Sequence, residues 1–101
     1  MEYYDLSCRY DSRKSFYGKA RVKVDSVIQD NMLLKTYDLY SYGTEVARIT
    51  QNTETCLSTC EYLGYFSQTT TRHQKEFFKQ FGLTDSELKE LWKNGIIEIR
   101  G

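Results

Sequence analysis

Apolar residues follow two different periods along this chain, and the change between them falls near Phe66. Before it they alternate with polar residues, as half-buried strands require; after it they recur at three- and four-residue spacing, as along one side of a helix. From Phe66 to Gly82 the spacing predicts an amphipathic helix of about four turns. Thr70, Gln74, Phe77, Phe78 and Phe81 share one side, and Arg72, Lys75, Glu76 and Lys79 the other. Ser67 or one of Thr69 to Thr71 caps its start, and Gly82 ends it. Burying the three phenylalanines contributes roughly 1.5–3 kcal/mol each before entropy is counted. This helix is therefore the expected lid on the sheet.

Upstream, the alternation predicts four strands. Ser15–Asp25 places Phe16, Gly18, Ala20, Val22 and Val24 inward and Tyr17, Lys19, Arg21 and Lys23 outward. Ser26 to Asn31 reads as a loop, and Met32–Tyr42 as a second strand whose phase the pattern leaves open. Leu33, Tyr37 and Leu39 share one face and Asp38, Tyr40 and Tyr42 the other, and a slip of one residue inverts both. A turn at Tyr42-Gly43 leads to Thr44–Gln51, and a polar turn at Asn52 to Glu54 leads to Thr55–Phe66. Residues Met1 to Lys14 show no sustained period and read as an irregular arm, 1–14, ahead of a single domain, 15–101.

Downstream of the helix, Thr84-Asp85-Ser86-Glu87 has the spacing of a capping box and opens a second short helix to about Lys93, with Leu88, Leu91 and Trp92 as its apolar side. Asn94-Gly95 stops it, and Ile96 to Arg100 follows as a short strand or extended tail. The sum is an α+β domain: a four- or five-stranded, mostly antiparallel meander with one face covered by an amphipathic helix and a second short helix.

A chain of 101 residues suffices for one domain, and 40% hydrophobic with 15% aromatic residues argues for a folded one. Lys+Arg and Asp+Glu both number 14, so no net charge draws in nucleic acid or an acidic membrane over long range. No apolar run is long enough to cross a membrane and no signal peptide is visible, which places the expected protein in the cytoplasm. Cys8, Cys56 and Cys60 lack metal-site or disulfide spacing; in a strand Cys56 and Cys60 stand about 13 Å apart and read as small buried hydrophobes.

The sole histidine, His73, lies at the edge of the apolar arc and reads as structural. Metal-binding, phosphate-loop, dinucleotide and nucleophile-elbow signatures are absent, so the reading is a protein without enzymatic activity, cofactor or metal. The best candidate for a working surface is the outward row Tyr17, Lys19, Arg21 and Lys23, joined by Tyr40 and Tyr42 if the second strand takes the matching phase. Cations beside aromatic rings suit a single strand of nucleic acid or the surface of a protein partner. Arg72, Lys75 and Lys79 form a second basic row, which Glu76 makes a charge-paired solvent face. Unpaired strand edges leave both a monomer and a homodimer open.

Three phrases, Ser15-Phe16-Tyr17-Gly18-Lys19-Ala20, Leu39-Tyr40-Ser41-Tyr42-Gly43-Thr44-Glu45-Val46-Ala47 and Phe66-Ser67-Gln68-Thr69-Thr70-Thr71-Arg72-His73 continuing to Phe77, resemble a small uncharacterised domain of bacteriophages and mobile elements of Gram-positive bacteria. The resemblance covers about Arg13 to Gly82; its members usually carry Asn at the position of Gly43 and Tyr at that of Phe66, and Thr84 to Gly101 falls outside it. What it implies is a setting and no activity. By analogy with small phage proteins, the expected function is stoichiometric binding to and inhibition of a host macromolecule such as a CRISPR nuclease. The alternative is a nucleic-acid-binding accessory domain that uses the basic, tyrosine-bearing sheet face.

Overall fold

The computed structural model describes residues 2–13 and 15–100; Met1, Lys14 and Gly101, which bound the expected arm and the chain, lie outside the described residues. Six strands pair antiparallel in chain order: β1 (Glu2–Asp5), β2 (Ala20–Gln29), β3 (Met32–Ser41), β4 (Thr44–Asn52), β5 (Leu57–Tyr62) and β6 (Ile96–Arg100). Helices α1 (Gln68–Gln80) and α2 (Asp85–Asn94) lie between β5 and β6 in sequence. The expected count of four or five strands is corrected to six. Glu2–Asp5, four residues too few to show a period, pairs with Arg21–Val24 at one sheet edge, and Ile96–Arg100 closes the other edge against β5. The sheet is an open meander.

Cross-strand register fixes which face is which. Val22, Leu39, Ala47 and Tyr62 lie in one row, and Val24, Tyr37, Ile49, Cys60 and Ile97 in the next. Against these rows pack Phe77, Phe78, Leu88 and Leu91, all buried, with Trp92 stacked 4.3 Å from the Tyr62 ring centre. Phe81 meets Tyr37 edge-on at 4.8 Å. Both helices thus cover the same face, and the three phenylalanines form the lid the spacing requires. Among the described residues no helix is long and apolar enough to cross a membrane.

Local chemistry explains the boundaries. Ser67 caps α1 by accepting the Thr70 N–H at 3.1 Å, and Gly82, at φ +91°, donates its N–H to the Lys79 carbonyl. Thr84 and Glu87 exchange the two bonds of a capping box, at 3.2 and 2.8 Å, and Gly95 ends α2 in the left-handed region. Strand β2 begins five residues later than its alternation implies. Tyr17 (φ +53°) and Gly18 (φ +73°) form a tight turn closed by the Lys19 N–H on the Phe16 carbonyl at 2.9 Å. It also runs on through Ser26–Gln29, the expected loop, to a hairpin at Asp30-Asn31, both left-handed. Between β3 and β4 the register shifts at Leu39/Tyr40. There Val46 is the extra residue of a bulge, and its carbonyl accepts from Gln74 Nε2 at 3.0 Å and from the Leu63 N–H at 3.1 Å.

Candidate binding site

Opposite the helices the sheet presents Tyr3, Asp5, Arg21, Lys23, Asp38, Tyr40, Glu45, Arg48 and Glu61, the positions that alternate with the core rows. This settles the phase of β3: Tyr37 and Leu39 face the helices, Asp38 and Tyr40 the open side. At one corner of that face, where β1 crosses the start of β2 and β3 turns into β4, lies a cavity of about 570 Å³ lined by Tyr3, Gly18, Lys19, Arg21, Tyr40, Tyr42 and Gly43. Two left-handed turns shape it. Tyr42 (φ +51°) and Gly43 (φ +81°) make the β3–β4 hairpin, and the Tyr42 N–H donates to the Lys19 carbonyl at 2.8 Å, which holds that hairpin beside the Tyr17-Gly18 turn.

The cavity lining contains two cations and no carboxylate. The Arg21 guanidinium stands 5.4 Å from the Tyr3 ring centre, close enough for a cation–π contact. Its Nε lies 3.3 Å from Asp5 Oδ1, an ion pair exposed on both sides. Tyr40 is Arg21's direct cross-strand neighbour. The Tyr42 ring is backed by His73 at 5.8 Å, which is itself edge-on to Phe16 at 4.5 Å.

Of the six residues marked out by the sequence, the cavity brings together Lys19, Arg21, Tyr40 and Tyr42. Lys23 shares the open face between Tyr3 and Asp38 but does not line the cavity, and Tyr17 stands 77% exposed on its turn. Tyr3 is the lining residue that sequence reading missed. Its signal, a tyrosine two positions before an aspartate in a four-residue strand, is too short to register as alternation. Elsewhere on the face the charges neutralise one another: Arg48 Nε donates to Asp38 Oδ1 at 2.6 Å, and Arg48 Nη2 lies 3.3 Å from Glu45 Oε2. The hydrogen bond to Asp38 is the main reason the Arg48 guanidinium holds its proton more firmly than usual.

Beneath Tyr42, a buried polar cluster joins Ser41 Oγ to Thr70 Oγ1 at 2.9 Å and to His73 Nδ1 at 2.8 Å. Ser41 and His73 are 2% and 1% exposed, so their bonds tie β3 to α1. The helix row departs from its expected role at one position. Glu76, placed on the solvent side by spacing, is 2% exposed; its Oε1 accepts the N–H groups of Tyr10 and Asp11, both at 2.8 Å, and its Oε2 accepts from Gln80 Nε2 at 2.6 Å. Residues 6–13 lie over it. Arg72 is paired with Asp11 and Lys79 with Asp85, each at 3.3 Å. The cysteines also divide: Cys60 is buried, whereas Cys56, expected to be buried with it, is exposed at φ +61° just before β5. Among the described residues no cluster of three His, Cys, Asp or Glu side chains is placed to hold a metal ion.

Compared with known proteins, residues 4–94 match the model of a family of unknown function, DUF8033. That span is wider than the resemblance at Arg13 to Gly82 and takes in α2. No curated protein and no solved structure matches.

Proposed function

We propose that this chain, which belongs to the DUF8033 family, is a binding protein without chemistry of its own that engages a protein partner, copy for copy, over the uncovered face of its sheet and blocks it. The arrangement of charge on that face carries the reading. At the centre of the sheet Arg48 sits against Asp38 and Glu45 and opposite Glu61, so positive and negative groups alternate across the strands. Nucleic acid rewards cations that are not already neutralised, through release of its counterions. A mosaic of both signs instead fits a protein surface carrying the complementary mosaic. Exposed Tyr17 and Tyr42 at the rim add rigid contact area. The resemblance to a domain of phages and mobile elements supplies the setting: the partner is then a host protein in the bacterial cytoplasm, of which a CRISPR nuclease is one kind.

Affinity capture from a bacterial lysate tests this with three baits: the native chain, Lys23→Glu on the open face, and Lys75→Glu on the helix layer. A partner recovered in equal amount by the native chain and Lys75→Glu, and at least about tenfold less by Lys23→Glu, is the expected outcome. Equal recovery by all three overturns the reading. So does recovery of nucleic acid whose binding weakens steeply with salt.

A further inference from the structure

We propose that the corner cavity is a nucleoside-phosphate site, with the base laid against the tyrosine rings and the phosphate held by Lys19 and Arg21. It goes beyond protein docking and stands apart from it. Although the chain is neutral and the centre of the sheet is charge-balanced, this cavity is lined by cations and tyrosines alone apart from two glycines. A ligand that satisfies it must bring negative charge and a flat apolar surface together.

Arg21 is prepared for the anion. Its ion pair with Asp5, through Nε at 3.3 Å, is exposed on both sides, so it is weak and gives way readily to a phosphate at the two terminal nitrogens. Those nitrogens form the fork that grips two phosphate oxygens, while the Tyr3 ring steadies the guanidinium plane from one side. Lys19 adds a second, mobile positive charge. Tyr40 and Tyr42 line the same cavity and supply rings on which a base can stack, a contact that tolerates any base. A Cβ at Gly18 or Gly43 would meet nothing within 4 Å, so neither turn closes the mouth with a side chain. The volume, about 570 Å³, falls in the range of small-molecule sites and leaves room for a base and a sugar beside the phosphate.

Two sources supply this chemistry, a free mononucleotide and the phosphorylated end of a single strand. The experiment titrates AMP, adenosine, inorganic phosphate, phosphotyrosine and a short oligo(dT) bearing a terminal phosphate into the full chain, following the NMR amide signals of Gly18 and Gly43. Saturable shifts with AMP are expected, with adenosine and phosphate each at least about tenfold weaker. Tyr40→Leu and Arg21→Gln should each cost about tenfold in AMP affinity. Lys19→Gln, on an exposed side chain, serves if either fails to fold. Lys75→Glu, on the helix layer, keeps full AMP affinity, and AMP titration and partner capture are separate measurements, so the two readings fail separately. Binding of the oligonucleotide alone assigns the site to strand ends, and equal binding of AMP assigns it to the nucleotide itself. No saturable shift at millimolar AMP or oligonucleotide, tighter binding of phosphotyrosine, or unchanged affinity in the variants overturns the proposal.

Discussion

Between Phe16, Ser41 and Tyr42 the imidazole of His73 has lost its water, and burial pushes its pKa below the ordinary 6.5, with the carboxylate of Asp11 working in the opposite direction. The sign follows from the unfolded chain, which takes up a proton near 6.5 while the folded one resists. Stability from the neutral ring is therefore complete above about pH 7 and is lost as pH falls through 6.5 toward the lower folded value. Urea midpoints should hold constant above about pH 7 and decline below about 6.5, and His73→Gln should remove that decline down to the carboxylate range. A midpoint that rises on acidification would contradict the buried neutral ring. Cysteine chemistry divides on the same principle. Burial pushes the Cys60 thiol up to about 12, whereas Cys56 is exposed. Iodoacetamide at mildly alkaline pH should label Cys56 in the native protein and reach Cys60 only after unfolding, as mass spectrometry of the peptides will report. The core phenylalanines were legible because helical spacing alone assigns them. Glu76 was not: it is buried by residues 6–13, a contact made across more than sixty positions of sequence that no local period encodes.

At the scale of elements, turns decided what alternation could not. Phe16 to Val24 alternates without a break, yet the Tyr17-Gly18 pair takes positive φ and moves the start of β2 to Ala20. Phe16 reaches the core from a loop, 5% exposed, so an inward position does not by itself make a strand. The Asp30-Asn31 hairpin ran the other way. Both residues tolerate the left-handed region better than most, and they let β2 and β3 extend as a ladder of ten paired positions through a stretch that reads as loop. Asn31 (φ +63°) is therefore a position where a branched side chain is strained. Asn31→Val should lower stability by about 1–2 kcal/mol in thermal unfolding, and Asn31→Gly should be neutral or slightly stabilising. Equal effects of the two would show that the hairpin does not hold that conformation. The capping signals, by contrast, are local chemistry: Thr84, Glu87 and Gly95 each act where the sequence puts them, and Ser67 is the cap among the candidates the sequence leaves open at the start of α1.

Across the whole molecule, the N-terminal segment touches both layers. Its first part adds β1 to the sheet edge and supplies Tyr3 to the cavity; its second crosses to α1, where the Glu76 carboxylate takes two backbone N–H groups and Asp11 meets Arg72. Gln80 joins the same carboxylate to the Ser7 carbonyl at 2.8 Å. One segment thus carries Tyr3 to the candidate site and the contact with the buried Glu76 on the opposite layer, so loosening it at α1 is expected to loosen β1 against β2. Removing the carboxylate takes the acceptor from two part-buried N–H donors and from Gln80, a cost of about 1–3 kcal/mol for each donor that water does not satisfy. Glu76→Ala should therefore lower global stability by about 2–4 kcal/mol in urea unfolding, while Glu76→Gln, which keeps one acceptor oxygen, loses roughly half as much. Hydrogen exchange adds the spatial test. The amides of Tyr10, Asp11 and β1 should lose protection together in Glu76→Ala, ahead of those in β3 and β4, because the segment detaches as a unit from a sheet whose remaining strands pair with their chain neighbours. If β1 keeps its protection while Tyr10 and Asp11 lose theirs, the sheet edge stands without the clamp, and the cavity does not depend on α1.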